Sequence, residues 1–89
     1  MLNTLDVLTA YLYNHPGTRI EIASEPLEGR VEEATIIVKV ERDGEGLSTV
    51  LSTVHTCVTR PIGDARAPIG VEQGLDRIAE YIARGTLKE

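Results

Sequence analysis

His55 and Cys57 come nearest to chemistry in this chain. Two positions apart on a strand, their side chains point to one face. An imidazole beside a thiol can take its proton and leave a nucleophilic thiolate. The same two groups could ligate a metal, but structural zinc takes four ligands and catalytic zinc usually three. The other histidine, His15, lies at a helix end elsewhere in the chain. A free cysteine is most often a small buried apolar residue. The pair therefore reads first as part of a packed strand, and a small enzyme using His55 and Cys57 is the remote alternative.

Carboxylates form a second group: Glu21, Glu25, Glu28, Glu32 and Glu33. Strand neighbours face opposite sides, so Glu32 and Glu33 cannot serve one catalytic site, and a solvated turn explains them more simply. A third group is the loop from Arg60 to Arg66, leading to Gly70 at an expected helix start. Free N–H groups there and two arginines would suit an anion, but Asp64 and Glu72 oppose one, and no glycine-rich phosphate motif is present. No catalytic, cofactor or metal constellation emerges, and the expectation is a protein that is not an enzyme and carries no cofactor.

The elements that hold these residues follow from periodicity. Residues 3–14 read as a helix, with Asn3 as N-cap, Leu5, Leu8 and Leu12 on one stripe, and His15-Pro16-Gly17 as the stop. Residues 18–24 alternate as a strand, and Glu25 to Gly29 reads as a turn. Residues 31–42 give the longest strand signal, with Ala34, Ile36, Val38 and Val40 on one face. Asp43-Gly44 marks a hairpin.

Residues 47–58 repeat with a period of four, Leu-Ser-Thr-Val twice and then His-Thr-Cys-Val. That spacing would align a helical stripe, but the Thr, Val and Ser content and the preceding hairpin favour a strand. Thr59 to Ile69 reads as a loop. Residues 71–84 form the strongest helix, with Val71, Leu75, Ile78 and Ile82 in register and Gly85 as the stop. Residues 86–89 read as a frayed tail. The expected architecture is α+β, in the order α-β-β-β-α, with a three-stranded antiparallel sheet and two helices on one face.

Composition bounds the function. Eighty-nine residues make one small domain with a thin core. There is no Phe or Trp and there are three tyrosines, which argues against modules that stack bases on aromatics. One cysteine excludes an internal disulfide. The first residues lack the basic segment of a signal peptide, and no apolar run approaches the roughly 20 residues that span a bilayer. A cytoplasmic location is expected, or host cytoplasm for a virus-encoded chain. The net charge of −5 lies entirely in residues 1–45. It disfavours direct contact with nucleic acid or membrane and suits a basic protein partner.

The leading expectation is a non-enzymatic protein-interaction module, an assembly subunit or small regulator acting through its sheet face, with a homodimer as the simplest arrangement. The third strand carries large apolar residues on both faces, where a one-sided sheet needs only one. If Asp43-Gly44 forms a two-residue loop, Val40 faces Leu47 and Ile37 faces Val50 outside, beside Val54. One residue more in the loop brings Ile37 against Leu51 instead. Ile37, Val50, Leu51 and Val54 are therefore the candidate partner-binding residues. In size and charge the chain also resembles small acidic virus-encoded anti-defence proteins. That resemblance implies an inhibitor that mimics nucleic-acid charge, with Glu21, Glu25, Glu28, Glu32 and Glu33 as its acidic surface.

Overall fold

In a computed structural model of the chain, which describes residues 3–26, 28, 33–59 and 67–87, two helices and three strands follow in the expected order. They are α1 (Thr4–Asn14), β1 (Thr18–Pro26), β2 (Glu33–Gly44), β3 (Leu47–Thr59) and α2 (Ala67–Arg84). The sheet is antiparallel, in the order β1-β2-β3.

Helix α1 starts where Asn3 places its side-chain oxygen 2.8 Å from the Leu5 N–H. The side chain thereby satisfies one of the free donors of the first turn. The buried stripe is centred on Leu8 and Tyr11, with Val7 beside it, while Leu5 is 69% exposed. This corrects the expected Leu5–Leu8–Leu12 stripe. The face is set by Tyr11, whose hydroxyl accepts a hydrogen bond from Arg42 at 2.7 Å and whose ring lies under the guanidinium. Arg42 also donates to Thr18, so one cation ties α1 to β1 and β2.

The hairpin turns at Glu45-Gly46, two residues later than expected, with φ of 53° and 79°. Two successive positive φ angles are what a tight two-residue hairpin loop requires. Gly44 pairs with Leu47, Asp43 with Ser48, and Glu41 with Val50; beyond a bulge, Val40 pairs with Ser52. Leu51 is the extra residue of that bulge. Its consequence is specific. Leu51 and Val54, three apart, could not share a face of a regular strand. With the bulge between them both are buried, and Thr56 and Val58 follow on the same side. The period-four repeat is thus reconciled with a strand, and both expected registers are replaced.

The inner face of β2 (Ala34, Ile36, Val38, Val40) packs under α2, in which Ile78 is fully buried and Leu75 and Ile82 partly so. The helix begins at Ala67, four residues before the expected start, and accommodates Pro68 in its first turn, where no backbone donor is needed. Gly70 and Gly74 let it approach closely. A Cβ on Gly70 would lie 2.2 Å from a methyl of Val58, and one on Gly74 would lie 2.5 Å from a methyl of Val38. The buried Thr56 hydroxyl donates to the Gly70 carbonyl at 2.8 Å, which fixes this first part of the helix on β3.

At its other end α2 closes with Gly85 in the left-handed region, Gly85 N–H bonded to the Ile82 carbonyl and Thr86 N–H to the Tyr81 carbonyl. This double closure turns the chain back. Leu87 is then 6% exposed and belongs to the core, so residues 86 and 87 are not a frayed tail.

Candidate functional site

No described element covers the outer face of the sheet, the side opposite α1 and α2. Its side chains are set by register and fall in rows across the three strands. Nearest the hairpin are Arg19, Glu41 and Val50, then Glu21, Lys39 and Thr53. Ala23, Ile37 and His55 form the middle row, followed by Glu25, Thr35 and Cys57.

The hairpin end is a mixed-charge network. Arg19 spans three carboxylates, at 3.0 Å from Glu21, 2.6 Å from Glu41 and 2.6 Å from Asp43. Lys39 lies 2.8 Å from Glu41 and 3.6 Å from Glu21. Glu41 is buried although it stands on an open face, because the Arg19 and Lys39 side chains lie over it. Hydrogen bonding from Lys39, helped by the charges of Lys39 and Arg19, holds the Glu41 carboxyl below its ordinary range. The hydrogen bond from Arg19 does the same for Asp43. Lys39 is raised in turn, chiefly by its hydrogen bond to Glu41, and Arg19 is raised by hydrogen bonds to Asp43 and Glu21.

The far end of the face is different in kind. Ile37 is half-buried between Ala23 and His55, with Thr35 and Lys39 on either side along β2 and Thr53 and Cys57 diagonal to it on β3. His55 and Cys57 share this face, as their spacing requires, and both are exposed. No group of three or more potential metal ligands exists among the described residues. The pair stands on an open sheet surface.

Of the four candidate partner-binding residues, the structure brings Ile37 and Val50 to the outer face, Val50 being 48% exposed. Leu51 and Val54 are core residues beneath the helices: Leu51 faces inward from the Glu45-Gly46 turn, and the bulge turns Val54 to the same side. That corrects the expected quartet. Among the acidic candidates, Glu21 and Glu25 are exposed on β1, Glu28 is exposed, and Glu33 is half-buried on β2. Glu32 and the Arg60–Arg66 anion loop lie outside the described residues. Glu21 is engaged by Arg19 and Lys39, so the outer face presents interleaved charges and not a single-sign acidic patch.

Sequence reading did not reach two features. The Arg19 network depends on which residues lie across from one another, and Arg42 docks α1 from 31 positions away. The available signal was alternation: Arg19, Glu21, Lys39, Glu41 and Asp43 all have odd numbers on adjoining strands. No described helix is long and apolar enough to cross a membrane. Comparison with protein-family models, curated proteins and solved structures finds no match to this chain.

Proposed function

We propose that the chain is a non-enzymatic protein-interaction module, an assembly subunit or small regulator, whose contact surface is the outer face of its sheet. The observation that carries this reading is the uneven makeup of that face. One end is locked by the Arg19–Lys39–Glu41 network, whereas the centre and far end hold Ile37, Ala23, Thr35, Thr53, His55 and Cys57, with carboxylates at the margins, Glu25 on β1 and Glu33 at the start of β2. A solvated sheet face is ordinarily lined with charge, and interfaces are depleted of charge at their centre. An apolar residue at the middle of the central strand, between Ala23 and His55, is suited to contact with another protein.

The network also gives such a contact orientation. Charges fixed in place at one edge of an interface select among partners and steer their approach. The partner suited to it is a protein with a complementary charge distribution, in a chain whose total charge of −5 favours basic surfaces.

Ile37→Lys tests the reading. A tagged wild-type chain, the Ile37→Lys variant and an Arg84→Glu control on α2 are passed through a lysate of the source cell. The expected result is a discrete set of proteins retained by wild type and control and lost by Ile37→Lys, with circular dichroism unchanged. An identical set on all three chains contradicts it.

A further inference from the structure

Both outer strands of this sheet are edges, and they are unlike. We propose that the free edge of β3 pairs antiparallel with the same edge of a second copy, joining two three-stranded sheets into one continuous sheet. This deepens the proposed function and rests on it: the outer faces of the two copies would become one surface.

An edge strand offers a row of unpaired backbone N–H and C=O groups, and proteins guard such rows with charge, proline, bulges or coverage. Strand β1 is guarded. Its nine residues include Arg19, Glu21, Glu25 and a terminal Pro26. Strand β3 carries the bulge at Leu51, but its 13 residues, Leu47–Thr59, contain no Asp, Glu, Lys, Arg or Pro, and beyond the bulge Ser52–Thr59 keep one register with β2. It is also longer than β1, and no described strand pairs with its outer side.

The occupant follows from charge and self-match. The chain carries a net charge of −5. A second copy brought to the β1 edge in the register centred on Ala23 would set Glu21 of each copy opposite Glu25 of the other, and like charges directly opposite on paired strands are unfavourable. At β3 the same approach meets no charge. Directly opposite residues of an antiparallel pair share a face, so the outward Thr53, His55 and Cys57 would meet uncharged outward residues of the other copy. The tandem Leu-Ser-Thr-Val repeat sets hydroxyl and β-branched side chains against one another, a favourable kind of cross-strand neighbour. A two-fold arrangement of this type closes on itself and stops at two copies.

The test uses the full chain and three measurements. Light scattering after gel filtration over a concentration series gives the mass. Hydrogen exchange reads those β3 amides that β2 does not bond. A Thr53→Glu/Cys57→Glu variant introduces like charges at the proposed junction; within one copy Thr53 faces Lys39, so the new glutamate there gains an opposite-charge neighbour. The expected result is a wild-type dimer with concentration-dependent protection along β3, and a variant that is folded by circular dichroism and monomeric. Ile37→Lys, on the central strand, should remain dimeric while losing its partner. A wild type monomeric at every concentration overturns the proposal, as does a dimer whose β3 edge amides exchange freely or a doubly substituted variant that dimerises as well as wild type. Partner capture that depends on Ile37 in a monomeric chain would retain the face reading while removing this one.

Discussion

At the scale of single residues, the outer-face network makes stability depend on pH. The Glu41 and Asp43 carboxyls are held below their ordinary values in the folded chain. A group whose folded value is depressed contributes stability above its unfolded value and loses it as the pH falls through the folded one. The loss should therefore begin near pH 4, the ordinary carboxylate range, and deepen below it. Glu41→Gln keeps the shape and removes the charge. The variant should melt lower than wild type at neutral pH, and the two melting temperatures should converge in acid. A constant gap from neutral pH to strong acid would show that the Glu41 charge is not what Lys39 and Arg19 stabilise. At the alkaline end Lys39 is raised, so its contribution is present below the ordinary lysine value and fades as the pH rises through the folded one. These partners were legible only in part. Alternation placed Arg19 and Glu21 on one side of their strand, but pairing with Glu41 needed the β1–β2 register, which no local pattern specifies.

At the scale of elements, the closest contact is helix on sheet, and Gly74 tests it. Alanine is the better helix former by about 1 kcal/mol, so propensity alone favours Gly74→Ala. The added Cβ would stand 2.5 Å from a methyl of Val38, a fully buried β-branched residue with no room to turn. Overpacking of this kind costs about 1–3 kcal/mol, which outweighs the propensity gain. Gly74→Ala should lower the melting temperature, and a rise would mean that the helix stands farther from β2 than described. The elements themselves were readable. Asn3, the alternation over 34–40 and the Val71–Ile82 stripe each carried a physical signal that the fold retains. What was not readable came from competition between equal local choices. Asp43-Gly44 and Glu45-Gly46 are both sound hairpin turns that would set the same side of β3 inward in a regular ladder; the bulge at Leu51, which no local signal marks, is what brings Val54 and Thr56 under α2. Leu87 followed the same rule: its position past a helix stop suggested fraying, and the capping bonds at Gly85 and Thr86 returned it to the core.

At the scale of the whole molecule, the chain is a one-sided sandwich. Both helices lie on one face of the sheet, and no described element covers the other. A core this small gains little from further internal packing, so an added partner is an effective source of buried surface. Cys57 reports on that directly, since it is exposed on the outer face and is the chain's only cysteine. The decisive measurement is the alkylation rate of the Cys57 thiol, taken on dilute purified chain and on the same chain in a lysate of its source cell. A free outer face leaves the thiol open to the reagent, and a partner bound to that face covers it. The account predicts fast labelling in dilute solution, markedly slower labelling in the lysate, and restored fast labelling in the lysate for Ile37→Lys. Equal rates for wild type in dilute solution and in lysate would contradict it, because the outer face would then stand open where its partner is present.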